Sequence, residues 1–127
     1  MTTRTLAACI TLALAAAAST SWAAGEAHDH QPRHGGVVVE VKDMDLELVA
    51  RPTVIQLYLR DHGQAADLSK ATARVTLLSG SDKQEVALKP AGDRLEATGS
   101  FKVGPGTKAV AVVTVAGKPS TARFSLK

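Results

Sequence analysis

Apolar residues alternate with polar ones from Gly36 almost to the end of the chain. A period of two is typical of β-strands that have one face on a core and the other in water. Turn-forming residues separate the alternating runs, as in Asp61-His62-Gly63 and Gly104-Pro105-Gly106. The pattern therefore predicts an all-β fold. The alternating runs are residues 37–42, 44–48, 55–60, 71–77, 85–89, 95–103, 109–115 and 121–126.

The spacing of these runs predicts one antiparallel domain over residues 36–127. Seven or eight short strands in about 90 residues are typical of an immunoglobulin-like β-sandwich. The paired cysteines and core tryptophan of antibody domains are missing from this range, so the prediction concerns the architecture alone. Gly99 is expected to divide the run 95–103 through either a bulge or a bend. Residues 65–73 have room for one helical turn, the only departure from strands that the pattern suggests.

Residues 1–23 have the order of a secretory signal peptide. Arg4 precedes a mostly apolar stretch, and Ser21 and Ala23 supply the small residues that signal peptidase requires. The apolar stretch is shorter than the roughly 20 residues that span a bilayer. Lipoprotein-type processing at Cys9 would leave too short an apolar stretch ahead of it. We therefore expect cleavage after Ala23, a periplasmic location and a mature chain without a transmembrane segment.

Composition narrows the classes of function. Fifteen Lys and Arg residues against twelve Asp and Glu residues give a net charge of +3, and the basic residues are scattered along the sequence. Phosphate recognition needs locally concentrated cations, so we predict no nucleic-acid binding. Removal of Cys9 with the signal peptide would leave no thiolate ligand and no disulfide. The chain has no nucleophile elbow and no glycine-rich phosphate loop, so neither an enzyme activity nor an organic cofactor is expected.

Residues with metal-binding chemistry gather in the segment 24–35, which we expect to be a flexible leader. His28, His30 and His34 share one parity, so an extended backbone directs their rings to one side. Neutral imidazole is a good ligand for divalent Zn, Cu, Ni and Co. His62 lies in a turn, and loops gather at the ends of a sandwich. The sequence thus predicts a divalent transition-metal site built from His28, His30, His34 and His62.

Other interpretations of these residues remain open. A polar, His-containing segment after a signal peptide is also typical of an unstructured leader that binds metal weakly. The turn Asp61-His62-Gly63 is more typical of an ordinary hairpin than of a ligand site. Cleavage after Gly25 would instead place His28 third, where the terminal amine, two amides and the imidazole can surround square-planar Cu²⁺ or Ni²⁺. Met44 is expected to fill the core rather than to bind a metal.

Three segments carry a family resemblance: His34-Gly35-Gly36-Val37-Val38, Leu46-Glu47-Leu48-Val49 and Leu57-Tyr58-Leu59-Arg60-Asp61-His62-Gly63. This pattern resembles a group of small exported bacterial proteins. It is also similar to a β-rich module in adaptor (membrane-fusion) subunits of heavy-metal efflux pumps of the RND type. The resemblance covers about residues 34–80, implies a periplasmic accessory to metal or copper handling, and points to His34 and the Asp61-His62 turn as positions of interest. An efflux-pump adaptor or another periplasmic protein is the expected partner. The helical hairpin and lipoyl-like parts of an adaptor are missing, so a stand-alone protein is expected.

Two functions follow from these observations. The first is a periplasmic, non-enzymatic accessory protein for heavy-metal handling or efflux, which binds a divalent transition metal through its histidine cluster. The second is a metal-independent protein–protein interaction module. In that case a partner or a second copy would contact the solvent face with Val54 and Tyr58, or the exposed parity of Val110 and Val112.

Overall fold

The computed structural model describes residues 30–127, which form nine β-strands and no helix. All strand pairs are antiparallel. No helix in this range is long and apolar enough to cross a membrane. The predicted signal peptide lies outside the described residues. The strands are β1 Val37–Val41, β2 Met44–Arg51, β3 Val54–Asp61, β4 Gln64–Ala65, β5 Ala71–Ser79, β6 Asp82–Ala91, β7 Arg94–Thr98, β8 Lys108–Val115 and β9 Lys118–Ser125.

The strands pair in the order β1-β2-β3-β7-β6-β5-β8-β9, and β4 adds to β3. Strand β6 belongs to both halves of this sheet, since residues 82–88 pair with β5 and residues 89–91 pair with β7. The first and last strands also approach each other, and Lys42 Nζ on the β1–β2 turn donates to the carbonyl of Pro119 on β9 at 3.4 Å. The fold is therefore a nearly closed, barrel-like antiparallel sheet.

The interior is filled by the apolar parity that the sequence indicates. Ile55, Leu57, Val75 and Leu95 are completely buried, and Leu88 is 1% exposed. Alternate residues of β3, β5, β6 and β8 follow the same rule, with the intervening residues more exposed. Burial of this apolar surface is the main favourable term in folding. The predicted all-β, antiparallel fold is confirmed.

Two details of the predicted architecture differ from the structure. The strand number is nine rather than seven or eight, because β4 is too short to show an alternating pattern. The run 95–103 is a strand only to Thr98, since the chain bends at Gly99 and the Phe101 ring packs where a Cβ on Gly99 would lie. The immunoglobulin-like sandwich is not confirmed, because β6 and the β3–β7 pair join the strands into one sheet.

Tight two-residue turns set the register near the candidate site. His62 and Gly63 both have positive φ, 51° and 81°, as a type I′ turn requires. Lys42 and Asp43 adopt the same conformation, with φ of 52° and 63°. The Lys42-Asp43 turn pairs Glu40 directly with Asp45 across β1 and β2. This pairing brings two carboxylates together on the outside of the sheet.

Candidate metal centre

Residues 30–36 lie across the outer face of β2 and β3. Strand parity predicts that Asp45 and Glu47 face water, but only 4% of Asp45 and 1% of Glu47 are exposed. The leader covers them: Arg33 and His34 bond to Glu47, and His30 bonds to Asp45. Both faces of β2 are therefore buried along this stretch.

Glu47 fixes the leader through three backbone hydrogen bonds. Its carboxylate accepts N–H groups from Arg33 at 2.9 Å, His34 at 2.8 Å and Gly36 at 2.9 Å. Burial raises the pKa of this carboxyl. The hydrogen bonds from Arg33, Gly36 and His34 and the charge of the His34 ring together lower the pKa by a larger amount. The resulting pKa lies below its ordinary value of 4.5, so Glu47 is ionised at neutral pH.

Gly36 allows the close approach on which this arrangement depends. A Cβ at this position would lie 2.3 Å from the carbonyl oxygen of Leu48 and 3.0 Å from the side chain of Glu47. Any side chain here would push the leader away from β2. The glycine therefore holds the leader against the sheet together with Glu47.

His30 lies between two carboxylates. Its Nδ1 is 2.8 Å from Asp45 Oδ1, and its Nε2 is 3.3 Å from Glu40 Oε2. Potential ligand atoms of these three residues all lie within 4.8 Å of one another. Asp45 is buried, whereas His30 and Glu40 are about half exposed, at 46% and 48% of their side chains. The cluster is thus open to solvent on the side of Nε2 and Glu40.

The charges around His30 favour a cation. Glu40 and Asp45 are directly opposite in the β1–β2 pair, and like charges in such positions repel. Arg60 is opposite Asp45 on the other side, in β3, and its Nη2 donates to the carbonyl of Gln31 at 3.1 Å. Within residues 30–127, the Nη1 of Arg60 is buried and has no hydrogen-bond partner, so the guanidinium does not pair with Asp45 or Glu40. A positive charge between the two carboxylates, either a protonated imidazole or a metal ion, would reduce their repulsion.

The donor set suits a borderline divalent metal ion. When Asp45 accepts the Nδ1–H of His30, the ring presents Nε2 as a ligand, which is the usual carboxylate–histidine–metal arrangement. A tetrahedral zinc ion with bonds of about 2.0–2.1 Å has ligand atoms about 3.3 Å apart. The Nε2 to Oε2 distance of His30 and Glu40 is 3.3 Å. The residues therefore fit a divalent ion that His30 and Glu40 ligate and Asp45 orients.

The four predicted histidines occupy different environments. His30 lies in the cluster just described, and His28 lies outside the described residues. The ring of His34 stacks on Tyr58 with centroids 3.6 Å apart and planes 10° from parallel. His62 lies in the β3–β4 turn with its Nε2 3.4 Å from Asp61 Oδ1. Within residues 30–127, the structure groups His30 with acidic residues rather than with His34 or His62.

Sequence reasoning missed Glu40, Asp45 and Glu47. The first two could have been found, because a two-residue turn at Lys42-Asp43 places Glu40 opposite Asp45. The role of Glu47 had no local indication. It depends on which outer face the leader covers, and period-two alternation does not carry that information.

No protein family matches this sequence, and neither a curated protein nor a solved structure was found to be similar to it.

Proposed function

We propose that this protein is an exported, non-enzymatic metal-handling accessory that binds one divalent transition-metal ion at His30. The observation that carries the proposal is the position of His30 between the paired carboxylates of Glu40 and Asp45. Nε2 of His30 and Oε2 of Glu40 are the ligands. Asp45 holds the imidazole in the tautomer that leaves Nε2 available. His28, two residues before His30, is the third ligand in this proposal.

The chemistry of these donors selects the metal. Imidazole and carboxylate suit Zn²⁺, Cu²⁺, Ni²⁺ and Co²⁺, whereas Cu⁺ prefers thiolate and thioether sulfur. The sequence has no cysteine after Cys9, and Met44 packs against the core. A metal ion would replace the proton on the imidazole as the balancing charge. Binding therefore releases protons and weakens as the pH falls.

The metal proposal is tested by calorimetry and native mass spectrometry on metal-stripped, processed protein. Zn²⁺, Cu²⁺, Ni²⁺ and Co²⁺ are titrated at neutral pH in two buffers with different ionisation enthalpies, which reports proton release. We expect one ion per chain with micromolar or tighter affinity, about −8 kcal/mol or better. The variants His30→Ala and Glu40→Gln should lose this binding.

His62→Ala is the matched control, because His62 also lies beside a carboxylate but in a separate turn. It should bind metal as the parent protein does. Equal binding by the parent, His30→Ala and His62→Ala proteins would overturn the proposed site. No stoichiometric binding by the parent would favour the metal-independent interaction module instead.

The accessory role in the periplasm rests on the signal-peptide pattern and on the resemblance of residues 34–80 to exported proteins and efflux-adaptor modules. An efflux-pump adaptor is accordingly the proposed partner. A strain without the gene should grow less well in the metal that binds the purified protein. Parent protein and His62→Ala should restore growth, and His30→Ala should not. If the parent, His62→Ala and His30→Ala proteins all restored growth, the cellular role would not depend on the metal site.

A further inference from the structure

The outer face of β5, β6, β8 and β9 carries five exposed cations. We call this surface the basic face; its cations are Arg74, Lys83, Lys89, Lys108 and Arg123. All five occupy the strand parity opposite to the buried residues of their own strands. Glu85 is the acidic residue on the same parity of β6, and Glu96 on β7 lies opposite Lys89. The basic face therefore has a strong excess of positive charge.

Strand pairing brings these cations together although they are far apart in sequence. Arg74 is opposite Ala87 on β6 and Val112 on β8, while Arg123 on β9 is opposite Val110. Strands β5 and β9 lie on either side of β8, so their backbones are about 10 Å apart. The basic residues are scattered along the sequence. Adjacent strands nevertheless bring them to one face, because every second residue of each strand faces outward.

The charges of the basic face are not neutralised within the fold. Across residues 30–127, no carboxylate pairs with Arg74, Lys83, Lys89 or Arg123. Lys108 Nζ contacts a neutral partner, Ser125 Oγ, at 2.9 Å. Unpaired cations on one side of a small domain create a positive potential that attracts an anionic partner.

The basic face favours an anionic surface over an apolar partner. Its exposed large apolar residues, Val112 at 40% and Leu78 at 36%, are separated, since Val112 is opposite Arg74 and Leu78 lies four residues further along β5. They form no joint apolar centre of the kind that carries most protein–protein interfaces. The cations on four neighbouring strands can instead contact several phosphates of an anionic lipid layer at the same time.

We propose that the basic face docks this protein onto a membrane surface of anionic phospholipids. Contact is electrostatic, through Lys and Arg with lipid phosphates, and needs no insertion of the basic face into the bilayer. The cluster of His30, Glu40 and Asp45 lies on the outside of β1 and β2 and shares no residue with the basic face, although β1 approaches β9 where the sheet nearly closes.

The test is cosedimentation of the full processed protein with vesicles. Vesicles of phosphatidylglycerol and phosphatidylcholine are compared with vesicles of phosphatidylcholine alone, at low salt and at about 0.15 M salt. We expect binding to the anionic vesicles that weakens with salt. The triple variant Arg74→Gln, Lys108→Gln, Arg123→Gln should bind about 10- to 100-fold more weakly.

A second triple variant controls for net charge. Arg51→Gln, Lys102→Gln, Lys118→Gln removes the same charge at positions outside the basic face and should bind almost as the parent does. Circular dichroism confirms that both variants are folded. Equal losses in the two variants, or no binding by the parent at low salt, would overturn the proposal. Binding to duplex DNA as tight as binding to the anionic vesicles, at the same salt concentration, would also overturn the proposal. The basic face would then bind polyanions in general rather than a membrane.

Discussion

The backbone N–H of Gly36 donates to the buried carboxylate of Glu47 at 2.9 Å, in a position where a Cβ on residue 36 would collide with Leu48. This contact ends the leader and starts β1. Together with the bonds from Arg33 and His34, it converts a polar segment into a cover over β2. The position of His30 beside Asp45 depends on that cover, so the stability of the leader and the proposed metal site are linked.

Replacing Glu47 with glutamine should weaken the fold. The amide offers one acceptor oxygen and an NH₂ group to three partly buried N–H donors, so at least one of them loses its partner. We expect the free energy of unfolding to fall by about 1–3 kcal/mol in urea denaturation. Amide exchange of Arg33, His34 and Gly36 should become faster. Glu85→Gln, on an exposed position of β6, is the control and should change stability little. Unchanged stability and amide protection in Glu47→Gln would contradict the role of the carboxylate.

The effect of Glu47 should depend on pH. Its pKa in the folded protein is below the ordinary 4.5, as the backbone hydrogen bonds outweigh the effect of burial. Such a group stabilises the fold fully above its unfolded-state pKa, and this contribution is lost as the pH falls through the folded-state pKa. The stability difference between parent and Glu47→Gln should therefore be constant from neutral pH down to about 5 and shrink below about 4.5. Urea titrations across this range measure it, and a difference that grows on acidification would show the opposite linkage.

Gly36→Ala should displace the leader from the sheet. The added methyl group would lie 2.3 Å from the Leu48 carbonyl oxygen, so β1 and β2 must move apart locally. Overpacking of this kind costs about 1–3 kcal/mol, measurable as a lower urea midpoint. Gly104→Ala is the matched control, since a Cβ there meets nothing within 4 Å and no positive φ is required. Similar midpoints for the two variants would show that the close approach is not needed.

If the proposed site binds metal through His30 and Glu40, Asp45→Asn should lower the affinity without removing either ligand. The amide keeps the size of the side chain but is a weaker acceptor for the Nδ1–H of His30. Loss of such an orienting carboxylate typically costs 10- to 100-fold in affinity, and we expect about 10-fold in calorimetry. Asp61→Asn is the control, because Asp61 is 3.4 Å from His62 in a different turn. An equal change in both variants would point to a general effect of charge.

The strands were predictable because their pattern is local. In β3, Ile55, Leu57 and Leu59 are buried while Gln56 and Tyr58 are only partly so, as alternation requires. Turns are predicted from local sequence too, since a positive φ such as that of Gly63 favours glycine. The candidate site was predictable only in part. His30 was found from its residue type, whereas its partners required the register of β1 with β2.

The amino-acid sequence by itself determined the all-β class, the inward parity of the strands and most of the turns, because each depends on neighbours a few residues apart. Only the tertiary structure decided that β6 joins the two halves of one nearly closed sheet. It also decided that the leader buries the outward-facing Asp45 and Glu47, and that Arg74 and Arg123 share a face. The physical reason is that alternation specifies two faces for each strand but not which strands pair. What covers an outer face is likewise settled by contacts between residues distant in the chain.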